Sequence, residues 1–323
     1  MLSKRTLLSA LAGLGLTLAV APAAAQTYPD KPIKLIVPFA PGGPMDIMAR
    51  LVGEKLHAGL GQPVTVENRA GAGGAIGSKA VFAAEPDGYT LMWGSSGTIS
   101  ILPALNASLD YDVKAFTPVA LVSLLPHVLV VPTTVPAKTV AEFVAYAKAN
   151  PGKLNFGASL GTPPHLLGVL FKTLAGIDIT YIPSKGAAPS ITDMLSGTTH
   201  MQIDALTVLL PLVQEGKLRA LAVSTPQRWP QLPDVPTFAE SGFPGLTRNA
   251  WSGVLAPPKT PAAIANKLNG VINAGLATPE SKATLLKLSA ITQPGSPQDF
   301  SKFIAEQAPI WGEMVKQSGA KIE

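Results

Sequence analysis

Leu35-Ile36-Val37-Pro38-Phe39-Ala40-Pro41-Gly42-Gly43-Pro44-Met45-Asp46 is the stretch from which the rest of the chain can be read. An apolar run rich in branched residues reads as a strand, ends in a glycine pair, and gives way at once to a helical pattern. Residues 45–60 place Met45, Met48, Ala49, Val52 and Leu56 on one face of a helix. Helix N-termini carry unpaired N–H groups and partial positive charge. Glycine lets such a loop come close to a ligand. Residues 40–46 therefore form a candidate cradle for a carboxylate or phosphate.

Strand and helix alternate outward from this joint. Strands are expected at 33–39, 63–67, 90–93, 116–121, 128–131, 154–157, 179–182, 201–205 and 220–223. Helices are expected at 45–60, 75–84, 140–150, 163–174, 188–196 and 208–214, with three more at 262–276, 280–288 and 297–317. Residues 228–245 read as loop. Alternation of this kind predicts an α/β fold with mostly parallel sheets. The 31 prolines and 30 glycines mark turns rather than disorder, because apolar residues still make up 47% of the chain.

The first residues read as a secretory signal peptide spanning 1–25: basic Lys4 and Arg5, an apolar run at 7–20, and small Ala23-Ala24-Ala25 before Gln26. Its apolar run is short for a membrane span. There is no cysteine, which excludes disulfides, thiol catalysis, thiolate metal sites and a lipidated cysteine after the leader. The expected location is the periplasm. Lys4 and Arg5 supply two of the net +5 charges. The remaining surplus is mild, with no basic block, so no nucleic-acid partner is expected. His57, His127, His165 and His200 are scattered without ligand spacing, so neither a metal nor another cofactor is expected.

A second candidate cradle is Gly157-Ala158-Ser159-Leu160-Gly161-Thr162-Pro163-Pro164. Thr162 is a natural N-cap, Pro163 a natural first helical residue, and Ser159 offers a hydroxyl. The same segment matches the G-x-S-x-G of serine hydrolases. Asp178 or Asp193 followed by His200 would satisfy the acid-then-histidine order, so a secreted serine hydrolase using Ser159 is the alternative reading. Against it, the prolines start the helix beyond the serine. The glycines at 71, 73, 74 and 77 miss the dinucleotide spacing and read as a structural turn.

Ligands of open α/β sheets sit beyond the carboxyl ends of strands. Residues 95–98, including Ser95 and Thr98, and the turn Ser184-Lys185-Gly186 should therefore share the cleft. Lys185 either supplies a charge or is a solvated surface lysine. Asp204 ends an apolar strand, where an acid is costly unless paired. Arg248 either grips a second carboxylate in a fork or lies on the surface. The candidate ligand set is Phe39, Ala40, Gly42, Gly43, Asp46, Ser95, Thr98, Ser159, Gly161, Thr162, Lys185, Gly186, Asp204 and Arg248. Asp46 can also reach back to cap the loop's amides. Phe39 and Trp251 are candidates for stacking.

At several segments the chain resembles a known family. The carriers are Tyr28-Pro29-Asp30-Lys31-Pro32-Ile33, residues 38–50, Glu67-Asn68-Arg69-Ala70-Gly71-Ala72-Gly73-Gly74 and Pro86-Asp87-Gly88-Tyr89-Thr90. Further on come Pro163-Pro164-His165-Leu166, Lys185-Gly186-Ala187-Ala188-Pro189 and Leu232-Pro233-Asp234-Val235-Pro236-Thr237. Together they resemble the Bug-type periplasmic solute receptors of tripartite tricarboxylate transporters, over essentially the whole chain after the leader. The resemblance implies a two-lobed periplasmic binding protein, closing like a Venus flytrap on a ligand in the cleft between its lobes. It maps lobe 1 onto 27–127 plus 248–323 and lobe 2 onto 128–247. It implies a small organic carboxylate as ligand: a dicarboxylate, tricarboxylate, acidic amino acid or aromatic acid. The implied partners are membrane permease subunits, with a signalling partner as the alternative. The expected protein is a monomer without enzymatic activity. Its family ligand loops map onto 40–46 and 159–162. Arg248 and Asn249 depart from the apolar or small residues more usual in such receptors, which would tune selectivity.

Overall fold

The computed structural model describes residues 28–320, so the expected leader at 1–25 lies outside the described residues. In chain order the elements begin β1 (Ile33–Val37), α1 (Pro44–Leu60), β2 (Val64–Asn68), α2 (Ala75–Phe82), β3 (Thr90–Ser95) and α3 (Leu102–Leu105). Then follow β4 (Thr117–Leu125), β5 (His127–Pro132), α4 (Val140–Ala149), β6 (Leu154–Ala158), α5 (Pro163–Ala175), β7 (Ile179–Pro183) and α6 (Ala187–Leu195). The chain ends with β8 (Gln202–Ala205), α7 (Leu206–Gln214), β9 (Leu218–Val223), β10 (Ala250–Ala256), α8 (Ala262–Leu276), α9 (Pro279–Lys287) and α10 (Pro297–Ser318).

These elements form two lobes. The first is built on a five-stranded sheet of order β2-β1-β3-β10-β4. Here β1 runs parallel to β2 and β3, as right-handed strand–helix–strand units require. Leu35 and Val37 pack on one side with Met48, Val52 and Leu56 of α1 and Leu268 of α8. Ile36 packs on the other with Val81, Trp251 and Phe300. The alternation is that of a sheet covered on both faces.

β10 departs from the sequence reading, which placed no strand there. It lies antiparallel between β3 and β4, as an inner strand of the sheet. All seven of its residues are buried. A strand buried on both faces loses the alternating pattern by which strands are recognised. Its insertion makes the sheet mixed.

The second lobe holds the antiparallel trio β8-β5-β9 and the parallel pair β6-β7. A parallel bridge between Phe156 and Met201 joins the two. Val128 and Val130 face Met194 of α6 and Leu206 and Leu209 of α7. Leu129 and Val131 face Phe143 of α4 and Phe171 of α5.

The last helix belongs to both interiors. Phe300 packs edge-on against Trp251 at a centroid distance of 5.6 Å. Farther along α10, Trp311, Met314 and Val315 join the core that holds Phe143, Phe156 and Phe171. Among the described residues no helix is long and apolar enough to cross a membrane.

Candidate functional site

Strand ends from both lobes meet at one cavity of about 510 Å³, within the range of small-molecule sites. Six strand-to-helix junctions converge on it. The first lobe contributes Phe39 and Ala40 after β1, Gly71, Gly73 and Gly74 after β2, and Ser95, Ser96 and Gly97 at the end of β3. The second contributes Ser159 to Pro164 after β6, Gly186 and Ala187 after β7, and Asp204 and Ala205 at the end of β8. Leu125 and His127, which flank the crossing from β4 to β5, and Ala250 at the start of β10 complete the wall. This is the carboxyl-end placement expected of open α/β sheets.

The loop after β1 is held from behind. Gly43 is the N-cap of α1 and Pro44 its first residue, where a missing N–H costs nothing. The buried carboxylate of Asp46 accepts from the Gly42 N–H at 2.9 Å, from Asn68 Nδ2 at 2.9 Å and from Arg50 Nε at 3.0 Å. Asn68 also donates to the Phe39 carbonyl at 3.1 Å. Burial opposes ionisation of Asp46, but these donors outweigh it and hold the carboxyl below its ordinary range. Asp46 is thus a latch for the loop, and it turns the Gly42 amide inward. Gly42, Gly43 and Asp46 stand behind the cavity wall, while Phe39 and Ala40 line it.

After β3 the chain enters a π-helical turn, Ser96–Ile101, that continues into α3. A reciprocal cap closes its start: the Ser95 N–H donates to Thr98 Oγ1 at 3.1 Å and the Thr98 N–H to Ser95 Oγ at 3.4 Å. Thr98 is fully buried and acts through Ser95, whereas Ser95, Ser96 and Gly97 reach the cavity. Gly74 has φ +98°, and a Cβ there would lie 2.7 Å from Thr98 Cγ2. The turn read from sequence as a structural one therefore brings backbone to the cavity wall at a place where only glycine fits.

The second cradle is poorer in amides than expected. Pro163 and Pro164 occupy the first two positions of α5 and have no N–H to offer. Thr162 Oγ1 turns back to the Ser159 carbonyl at 2.6 Å instead of capping the helix. The Gly161 N–H points to His165 Nδ1 at 3.4 Å. Gly161 has φ +71°, and a Cβ there would meet Leu105 Cδ1 of the opposite lobe at 2.4 Å. Ser159, Gly161 and Thr162 all line the cavity.

Ser159 does not sit in a nucleophile elbow. The helix begins four residues beyond it, whereas an elbow starts the helix at the serine. His165 and His200 each accept a backbone N–H on Nδ1, from Gly161 and Asn155. Among the described residues no hydrogen bond links Ser159 Oγ to a histidine or an acid. No group of three or more His, Cys, Asp or Glu side chains is placed there to hold a metal ion either.

Two ionisable side chains line the cavity, Asp204 and His127, and neither Lys nor Arg does. Asp204 accepts from Gln202 Nε2 at 2.8 Å and from the Ala205 N–H at 2.7 Å. Burial pushes its carboxyl up to about 6 against the pull of those two donors. His127 is buried, and its Nδ1 has no partner among the described residues. Burial pushes its imidazole down to about 4. At neutral pH the wall therefore presents a neutral histidine beside a carboxylate.

Three sequence expectations are corrected. Arg248 is away from the cavity: it lines a separate depression with Leu170 and Glu313, and its Nε donates to the Gly245 carbonyl at 2.9 Å. The 3₁₀ turn Pro244–Leu246 carries it outward. Lys185 is exposed and outside the lining, although neighbouring Gly186 is part of it. Trp251 is packed in the first lobe's core between Phe300 and Phe303. Conversely, His127 was not singled out from sequence, and Gly71, Gly73 and Gly74 were read as a structural turn. A histidine between two apolar runs was the available signal for the first of them.

A family model described as tripartite tricarboxylate transporter family receptor matches residues 48–320. Protein BugT of Bordetella pertussis is 37% identical over 320 residues, covering 97% of this chain and 98% of that protein. The periplasmic binding protein BugD superposes with a TM-score of 0.81 at 34% identity, covering 92% of this chain and 100% of that one. R. palustris Rpa4515, solved with adipate, superposes with a TM-score of 0.84 at 36% identity, covering 91% and 100%. The two-lobed α/β fold, the cleft at the strand ends and the match along most of its length make one assignment: this chain belongs to the tripartite tricarboxylate transporter family receptors, which are solute-binding proteins.

Proposed function

We propose that this receptor captures a small organic carboxylate between its lobes in the periplasm and delivers it to a membrane permease, without enzymatic turnover. The observation that carries this reading is the convergence of six strand-to-helix junctions on one cavity. We assign the described residues of 27–127 and 248–323 to lobe 1 and 128–247 to lobe 2, with α10 reaching into both interiors. The lobes close by bending at the crossings near Leu125–His127 and Asn249–Ala250. Ligand favours the closed form only through contacts made there and not in the open form. Gly161 against Leu105 is one place where the lobes already touch.

The ligand is held by Ser95, Ser96 and Gly97 with the 38–40 loop on one side, and by Ser159 to Thr162 with Gly186 on the other. The first-turn amides after Ser95 stabilise its carboxylate. Its other end meets Asp204 and His127, where a second carboxylate would face a like charge without a cation to offset it. We infer a ligand with one carboxylate and a hydrogen-bond donor, such as a hydroxyl, amide or ammonium group, at the far end.

A thermal-shift panel of small carboxylates on ligand-free protein tests this. A ligand at ~100 times its dissociation constant adds about 2.7 kcal/mol. A selective shift by acids carrying a donor group supports the reading. Uniform indifference to the whole panel on folded protein would refute carboxylate capture, and a preference for diacids at alkaline pH would refute the role given to Asp204.

A further inference from the structure

Behind the ligand cleft lies a second cavity of about 680 Å³. The two share a wall. Ser96, Gly97, Leu102 and Leu105 face the cleft, while Ile99, Ser100, Pro103 and Ala104, interleaved with them in the same stretch, face the second cavity. The π-helical turn makes this division possible: its wider spacing presents one short segment to two sides, a geometry that recurs at functional sites. The opposite wall is α10, through Ile304, Ala305, Ala308 and Pro309. Val113, Phe116, Pro118 and Leu255 complete an apolar surround.

Ser100, Lys114 and the exposed Ser301 break that surround. Ser100 is 4% exposed, lines the cavity, and its hydroxyl has no hydrogen-bond partner among the described residues. A buried hydroxyl without a partner is costly, and a bound oxygen atom would relieve it. Lys114 is the single charged residue of the lining. Its ammonium forms no ion pair among the described residues. The nearest acid along the chain, Asp112, uses Oδ1 to accept the Lys114 backbone N–H. No carboxylate lines the cavity to compete for an incoming anion.

We propose that this cavity is a second ligand site, for a small amphipathic monocarboxylate whose apolar body fills the space between the π-helical turn and α10. Lys114 attracts the carboxylate at the rim, and the apolar walls select a hydrocarbon or aromatic body over the polar solutes suited to the cleft. A diacid is disfavoured, because a second charge would lie among Ile99, Phe116 and Ile304.

Octanoate titrated into the full-length chain labelled at Ile, Leu and Val methyl groups tests this by NMR. Saturable shifts at Ile99, Val113 and Ile304, with the cleft residues Leu125 and Leu160 unmoved, are expected. Lys114→Glu, an exposed substitution, should weaken octanoate roughly five- to tenfold. Ala308→Trp should fill the space and abolish the response in a protein whose remaining spectrum stays folded. Shifts confined to Leu125 and Leu160 would place octanoate in the cleft and overturn the proposal, as would the absence of saturation. Equal affinity for neutral octanol and for octanoate would overturn the role of Lys114. Because the markers of the two cavities are separate, the outcome does not depend on whether the cleft takes a carboxylate.

Discussion

Ser224 Oγ donates a 2.8 Å hydrogen bond to Asn249 Oδ1. The same oxygen accepts the His127 N–H at 2.8 Å, and the Ser224 N–H donates to the His127 carbonyl at 2.9 Å. One buried hydroxyl thus ties together the two places where the chain passes between its sheets. Ser224→Ala leaves the His127 amide and the Asn249 side chain without this partner. The expected loss of stability is about 1–2 kcal/mol, read as a lowered midpoint in thermal or urea unfolding. An unchanged midpoint would show that water replaces the hydroxyl without cost.

The latch at Asp46 makes a second case. Its carboxylate is buried and serves three donors. Asp46→Ala should cost about 2–3 kcal/mol, since Gly42, Asn68 and Arg50 all lose their acceptor. Because its folded pKa is depressed, Asp46 adds stability that is present above the unfolded value of 3.8 and lost as pH falls through the lower folded value. The variant should therefore lose part of the acid sensitivity of the parent, which stability curves between neutral and strongly acid pH would reveal.

Asp204 and His127 should oppose one another in their dependence on pH. Asp204 rises from 3.8 to about 6, so the folded state holds an extra proton across that window, and its contribution falls as pH rises through it. His127 drops from 6.5 to about 4, so the folded state resists protonation, and its contribution falls as pH drops through nearly the same window. Each displacement corresponds to about 3 kcal/mol, so the parent should be nearly flat with respect to this pair. Asp204→Asn exposes the histidine slope: the variant should lose about 3 kcal/mol, relative to the parent trend, as pH falls from 6.5 to 4. A parallel pair of curves would contradict this balance.

The role proposed for Asp204 in ligand choice has its own test. A diacid and its half-amide, compared by calorimetry, should differ most above pH 6, where Asp204 is ionised, with the half-amide bound more tightly by roughly tenfold. The gap should narrow as Asp204 takes up its proton near 6. Arg248→Ala, in contrast, should leave both affinities unchanged, because that side chain faces a different depression.

A substitution at Gly74 tests the cavity wall. Gly74→Ala places a methyl group 2.7 Å from Thr98 Cγ2 in a backbone with φ +98°. The left-handed conformation alone costs about 1–2 kcal/mol, and displacement of Thr98 loosens the cap on Ser95. Ligand affinity should fall by roughly tenfold in a protein that still folds, and binding equal to the parent would remove Ser95 from the site.

Much of this architecture is legible in the sequence where local chemistry and tertiary environment agree. Gly43 and Pro44 start α1, and Met48, Val52 and Leu56 bury the face that their spacing implies. β10 is illegible for the opposite reason: buried on both faces, it has no polar side to mark its period. Side-chain direction is the other blind spot. Asp46 and Thr98 stand at the right joints but act on their neighbours' backbone, and Arg248 is carried away by a short turn. Eight of the residues singled out from sequence line the cavity, and all of them lie at or just beyond strand ends, where the alternation of strand and helix placed the cleft. His127 was hidden because one histidine in an apolar stretch gives no spacing to read.

The final helix also determines when the molecule can become itself. Trp311, Met314 and Val315 complete one interior and Phe300 another, yet they follow every strand of both lobes in the chain. A chain that emerges from its N-terminus first has every strand of both lobes in hand before it has the means to finish packing either lobe. Until the tail arrives, Phe143, Phe156 and Phe171 on one side and Trp251 on the other lack their closing partner. Assembly of both lobes thereby waits for α10, and removal of residues 311–320 would be felt across the second lobe's interior, far from the cut.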